Sequence, residues 1–251
     1  MGKYAVTGGA SGIGAAVVGQ LTDAGHSVIV LDLYNADINT DLSTGNGRLQ
    51  AISALEGMVP EGLDGFVPCA GVSGVQAPPL VTSLNYFGVV SLVDGLRANL
   101  AKKSGAVVLI SSVTSSMASD DELVNAMLEG DEEKAGQLSG AGSGDQAYAA
   151  TKRAVTCWMR RNCADFLKDQ VRINAVAPGY IDTPLNDGIR EAGGSDILDQ
   201  FVASIPVGRP GQPEDIANLI SFLLSDKSSF IAGANIFIDG GHDALFRQDS
   251  F

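Results

Sequence analysis

Basic residues are scarce in this chain: 16 Lys and Arg stand against 29 Asp and Glu, for a formal net charge of −13 at pH 7. Nucleic-acid backbones and anionic lipid surfaces are bound through Lys/Arg-rich faces, so a balance of this sign repels both as partners. Long apolar runs are lacking too. No stretch approaches the roughly 18 apolar residues of a membrane span. The N-terminus enters Lys3-Tyr4-Ala5-Val6 with no n-region, h-region or cleavage site, and a cytoplasmic location is expected. Cysteine is limited to Cys69, Cys157 and Cys163, an odd number with no CxxC or zinc-ligand spacing, which reads as reduced thiols. The two histidines, His26 and His242, stand far apart in no ligand cluster, so neither is assigned to a metal or to catalysis.

What the chain does have is apolar material and glycine: 45% hydrophobic residues and 31 glycines in 251, enough for a substantial core and many tight turns. Short apolar strands alternate with helical stretches. A strand at 3–6 runs into Thr7-Gly8-Gly9-Ala10-Ser11-Gly12-Ile13-Gly14 and then into the apolar-periodic Ala15, Ala16, Val18, Gly19 and Leu21. Glycines in a strand–turn–helix unit let the backbone approach a pyrophosphate, whose charge is met by free N–H groups and the positive end of the helix dipole. A second strand at 27–31 ends on Asp32, placed to accept hydrogen bonds from adenosine ribose hydroxyls and to repel a 2′-phosphate. Ser11 and Leu33 stand where a basic residue would have stabilised that phosphate, so the expected cofactor is NAD rather than NADP.

Further along, helical stretches at 48–55 and 84–100 enclose an apolar strand at 65–68 that leads to Cys69-Ala70-Gly71. Strands at 106–110 and 171–177 follow, the first closed by Ser111-Ser112 and the second by Pro178-Gly179. A helix at 213–224 and a last strand at 235–238 complete the order. Strands apolar throughout, alternating with helices, predict one Rossmann-like α/β domain over 1–251: a doubly wound parallel sheet with helices on both faces. Ligands in such sheets sit at the carboxyl ends of strands, where Gly8, Asp32, Gly71 and Ser112 fall.

Two segments interrupt the rhythm. Residues 113–146 are acidic and Gly/Ser-rich: an amphipathic helix is expected in the first half, a flexible loop over 139–144, and a role as lid, interface element or tolerated surface insertion. Residues 184–206 read as an irregular apolar cover for substrate, with Leu185, Ile189, Ile197, Leu198, Phe201 and Val202. Between them Tyr148 and Lys152 lie four apart at the start of a helix, so phenol and ammonium share one face. A fixed cation favours the phenolate, and the pair forms an acid/base suited to a carbonyl or an alcohol.

Taken in order, Thr7-Gly8-x-x-x-Gly12-x-Gly14, Asn85, Ser112, Tyr148-x-x-x-Lys152, Asn174 and Pro178-Gly179 resemble the short-chain dehydrogenase/reductase superfamily over nearly the whole chain. Within it the chain is most similar to the bacterial 3α-hydroxysteroid dehydrogenase/carbonyl reductase group. That similarity is carried by Asp41-Leu42-Ser43-Thr44, Cys69-Ala70-Gly71, residues 81–88 and the tail from Ile238; the long segment before Tyr148 is shared with coniferyl-alcohol dehydrogenases as well. The resemblance implies that Tyr148 exchanges a proton with the substrate oxygen, that Ser112 rather than Ser111 hydrogen-bonds that oxygen, and that Lys152 holds the nicotinamide ribose while lowering the Tyr148 pKa. Asn85 would anchor a water linking Lys152 to solvent. For the cofactor it implies contacts from Gly8, Ser11, Gly12, Ile13 and Gly14, from Asp32, Asp41 and Leu42, from Cys69, Ala70 and Gly71, and from Tyr148 and Lys152. Pro178, Gly179, Ile181 and Thr183 would hold the carboxamide side.

The implied activity is NAD-dependent interconversion of a secondary alcohol and a ketone on an apolar cyclic substrate, a 3α-hydroxysteroid/3-ketosteroid or a xenobiotic carbonyl. A coniferyl-type aryl alcohol dehydrogenase is the alternative within the fold, and a non-catalytic NAD-binding sensor or scaffold is the alternative outside enzymology. Two departures from the superfamily pattern stand out. Pro68-Cys69-Ala70-Gly71 replaces Asn-Asn-Ala-Gly, so hydrogen bonds of that Asn pair must come from elsewhere. The separation of Ser112 from Tyr148 is roughly 20 residues longer than usual. Because ordinary members often tetramerise through the helices flanking this excursion, a homodimer is expected instead.

Overall fold

The computed structural model describes residues 1–117, 119–186 and 195–249, the side chains of 195–198 excepted. Its strands are β1 (Lys3–Thr7), β2 (Ser27–Asp32), β3 (Ile38–Asn39), β4 (Gly65–Pro68), β5 (Ala106–Ile110), β6 (Arg172–Pro178) and β7 (Asn235–Ile238). They pair in parallel in the order β3-β2-β1-β4-β5-β6-β7. The chain winds outward from β1 in one direction and then, from β4, in the other. A crevice opens at that reversal, outside the strand carboxyl ends. Register brings those ends level: Thr7 lies beside Leu31 and Pro68, and Ile110 beside Val176.

The helices are α1 (Gly12–Asp23), α2 (Gly45–Met58), α3 (Pro78–Thr82), α4 (Val89–Gly95), α5 (Arg97–Ala101), α6 (Asp121–Leu128), α7 (Glu132–Gly140), α8 (Gly144–Lys168), α9 (Ser195–Ala203), α10 (Pro213–Leu224) and α11 (His242–Phe246). Alternate residues of the central strands enter two separate cores. Ala5, Phe66, Val107 and Ala175 pack with Leu55, Leu92 and Val155 of α2, α4 and α8. Their neighbours Val6, Val67, Val108 and Val176 pack with Val17 and Leu21 of α1 and with Ile216 and Ile220 of α10. Strands buried on both faces leave no polar alternation in the sequence, which is why they read as continuous apolar runs. Each large side chain so enclosed contributes roughly 1.5–3 kcal/mol. Among the described residues no helix is long and apolar enough to cross a membrane.

Three expectations are corrected. The stretch 84–100 is not one helix: a π-helical turn, Ser83–Gly88, precedes α4, and α5 begins after Leu96. Tyr86 and Phe87 are both buried there, edge to face at 5.0 Å, and the widened turn accommodates two adjacent large rings. Residues 139–144 are not a flexible loop. Helix α7 continues to Gly140 and α8 starts at Gly144, because Ser143 and Gln146 form a reciprocal capping box. Nor is 113–146 a surface appendage. Leu123, Val124, Met127 and Ala135 belong to the main core, and acids that read as surface charge act as caps: Asp120 accepts from the Glu122 and Leu123 amides, Asp131 from that of Lys134.

Candidate active site

In the turn between β1 and α1 the Gly8 and Ala10 amides are taken up, by the Leu31 carbonyl and by Asp32, while the start of α1 is left without a side-chain cap. Ser11 precedes α1 in extended conformation, its side chain makes no cap bond, and the first turn carries no acid. Gly14 has no room for a side chain, since a Cβ would lie 2.1 Å from the Gly8 carbonyl oxygen; Gly12 sits at φ +52°, where glycine is favoured. Such a turn fits a pyrophosphate: free N–H groups, a helix N-terminus and close backbone approach. Asp32, at the end of β2, fastens the turn. Its Oδ2 accepts from the Ala10 amide at 3.1 Å and its Oδ1 from the Leu33 amide at 2.7 Å.

Across the crevice β5 delivers Ser111 and Ser112, and the face of α8 delivers Tyr148 and Lys152. The two serines separate by chemistry. Ser111 Oγ is hydrogen-bonded to Thr156 Oγ1 on α8 at 2.8 Å, whereas Ser112 Oγ accepts from the Thr114 amide at 3.2 Å and shares the cavity wall with Tyr148. Lys152 Nζ donates to the Ile110 carbonyl at 2.9 Å and lies 5.4 Å from the centre of the Tyr148 ring. Burial pushes the Tyr148 phenol up, with the Ser112 hydroxyl opposing. Burial also brings Lys152 down to about 8, with Cys69 opposing. The Cys69 thiol is itself pushed up to about 12 by burial, beside Lys152 and Asp32. A thiol so held is protonated at neutral pH and unreactive.

A single cavity of about 360 Å³ joins the two halves. Every cofactor position expected from the sequence lies on its wall: Gly8, Ser11, Gly12, Ile13 and Gly14; Asp32, Asp41 and Leu42; Cys69, Ala70 and Gly71; Tyr148 and Lys152; Pro178, Gly179, Ile181 and Thr183. Ser112 is there as well. Asn85 is not. It is buried behind the wall, its Oδ1 accepting from the Val72 amide at 2.9 Å and its Nδ2 donating to the Val72 carbonyl at 2.8 Å. These bonds, with that from the Ala70 amide to Thr7 Oγ1 at 2.9 Å, hold the segment whose usual Asn pair is missing.

Leu33, Thr40, Val72, Leu84, Ile110, Ser111, Pro184, Leu185 and Asn186 also line the cavity. Of these, Thr40, Val72 and Leu84 carried no signal in the sequence beyond adjacency to expected residues. Among the described residues, none in 113–146 reaches this wall. From the expected cover, Leu185 does; Ile189 and the side chains of Ile197 and Leu198 lie outside the described residues. Phe201 on α9 packs edge to face against Tyr180 at 6.1 Å and against His242 at 4.8 Å. His242 Nε2 is 3.1 Å from Ser204 Oγ, so this histidine ties the cover to α11 rather than facing the cavity.

A parallel doubly wound sheet with a serine, a tyrosine and a lysine gathered opposite a glycine turn defines a nucleotide-dependent oxidoreductase class, and comparison with known proteins agrees. A family model described as "NAD dependent epimerase/dehydratase family" matches residues 4–172, and one described as "Enoyl-(Acyl carrier protein) reductase" matches residues 135–243. The chain is 38% identical, over 100% of both sequences, to a 3-alpha-hydroxysteroid dehydrogenase/carbonyl reductase of Comamonas testosteroni. It is 30% identical to a coniferyl-alcohol dehydrogenase of Pseudomonas sp. (strain HR199), over 95% of each. The crystal structure of 3-alpha-hydroxysteroid dehydrogenase from Pseudomonas sp. B-0831 complexed with NADH superimposes with a TM-score of 0.95 at 43% identity, covering 99% of this chain and 100% of that one. The chain belongs to the short-chain dehydrogenase/reductase superfamily.

Proposed function

We propose that this protein is an NAD-dependent oxidoreductase that interconverts a secondary alcohol and a ketone on an apolar cyclic substrate, a 3α-hydroxysteroid/3-ketosteroid or a xenobiotic carbonyl. The observation that carries the reading is the placement of Ser112, Tyr148 and Lys152 on one wall of a cavity whose other wall is the glycine turn and Asp32. NAD, when bound, supplies the hydride acceptor and, when reduced, the hydride donor. The α1 N-terminus and Gly12 hold its pyrophosphate, Asp32 its adenosine ribose, and Ile181 and Thr183 its carboxamide. Lys152 holds the second ribose. Tyr148 takes the hydroxyl proton during oxidation and returns it during reduction, while Ser112 hydrogen-bonds the substrate oxygen. Asn85 acts behind them by fixing Val72, through the bonds described above. On the same reading the protein is a homodimer.

Leu84, Pro184 and Leu185, apolar residues on the cavity wall, favour an alicyclic ring system. An aryl-propenoid alcohol remains the second reading, favoured by the similarity to a coniferyl-alcohol dehydrogenase. Initial rates with NAD on a 3α-hydroxysteroid and on coniferyl alcohol separate the two: the steroid is expected to turn over faster. A faster rate on coniferyl alcohol selects the aryl reading, and cofactor binding with no turnover over a broad alcohol and ketone panel selects a non-catalytic protein.

A further inference from the structure

Arg48, on α2, has a side chain that reaches both the backbone segments behind the cofactor wall and the 113–146 excursion. Its side chain is only 6% exposed. Nε donates to the Leu42 carbonyl at 3.0 Å, and Nη2 directs one hydrogen toward the carbonyls of Ser43 at 3.0 Å and Ser83 at 3.3 Å, which share it. Leu42 is itself cavity wall, and Ser83 opens the π-helical turn that carries Leu84, also cavity wall, and Asn85. The guanidinium then meets Glu132 in a fork: Nη1 to Oε2 at 2.7 Å and Nη2 to Oε1 at 2.5 Å. Glu132 stands in the first turn of α7, where a carboxylate suits the helix dipole, and is 42% exposed.

A bidentate pair fixes the plane of a guanidinium as well as its position. Here that plane decides whether Nη2 still reaches Ser43 and Ser83. We propose that Arg48 is a positioning residue for the dinucleotide site and that Glu132 sets it, so that the excursion, which does not line the cavity, acts on cofactor affinity through this pair. The inference rests on the cofactor reading above. The segments held are those at Leu42 and Leu84, whereas Lys152 and Tyr148 stand on α8, with Lys152 bonded to the Ile110 carbonyl, and Ser112, just past β5, accepts from the Thr114 amide; none of these is bonded to Arg48. Loss of the fork should therefore loosen cofactor binding and leave the chemical step intact.

Glu132→Gln tests this with little risk to folding, because the altered group is on the solvent side of the pair and keeps its size. NADH binding is followed by fluorescence titration, with KM for NAD, kcat and thermal midpoint measured on the same preparations and Glu133→Gln as the neighbouring control. The expected result is an NADH dissociation constant and a KM for NAD raised about five- to tenfold, a kcat within about twofold and an unmoved Glu133→Gln. Arg48→Lys is expected to weaken NADH comparably, and adding Glu132→Gln to it to cause little further loss. Unchanged NADH affinity in Glu132→Gln overturns the inference. So does a fall in affinity, kcat and midpoint together, which marks a purely structural pair. Failure of the unaltered protein to bind NADH overturns the cofactor reading itself and is seen separately, before any variant is compared.

Discussion

A lysine ammonium enclosed beside a phenol ring is held there at a thermodynamic cost. Lys152 falls from 10.5 to about 8, chiefly by desolvation. Below pH 8 folded and unfolded chains both carry the proton and the whole penalty, roughly 3 kcal/mol, is present. Between about 8 and 10.5 the unfolded chain holds more protons, so stability rises with pH, and beyond that the penalty is gone. Lys152→Met is accordingly expected to stabilise the cofactor-free protein at pH 7 by about 1–3 kcal/mol, after loss of the hydrogen bond to Ile110, while turnover collapses. The gain should vanish near pH 10. Thermal unfolding at the two pH values checks it, and a variant less stable at pH 7 would contradict it. At this scale legibility followed sequence distance. The glycine turn and the Tyr148/Lys152 spacing are local patterns with a mechanism attached. Arg48 was visible only as the start of a helical stretch, because its partner Glu132 is 84 residues away.

Elements were legible where one rule governs them and obscure where two compete. The helix α10 and the strand β7 have the ends their pattern indicates: Pro213 with acids in the first turn, and four apolar-flanked residues closing on Asp239-Gly240-Gly241. The break at Ser83–Gly88 has no such mark; Tyr86 and Phe87 pack edge to face within it. In the excursion, the amphipathic helix expected in the first half is there as α6, capped by Asp120, whereas the Gly/Ser content of 139–144 spoke for loop and hid the end of α7 and the Ser143 cap of α8. Helix α6 packs along α8, and α7 along α3. A face of α8 is thereby covered, and this supports the homodimer proposed above. Light scattering at low concentration should return the mass of two chains; a single tetrameric mass would end that idea.

For the molecule as a whole, the rhythm of apolar strands and helices is sufficient to anticipate a parallel doubly wound sheet, because burial on both faces forces that composition. What it does not encode is which strand residues enter which core. The fold places the two halves of the site on opposite sides of one crevice, and the central claim is that Tyr148 moves the proton there. The direct test is turnover of Tyr148→Phe on the best alcohol with NAD, with NADH binding titrated in parallel. A loss of about 10²- to 10⁴-fold in kcat with NADH affinity changed by no more than a few-fold is the predicted result; full turnover by Tyr148→Phe would contradict it.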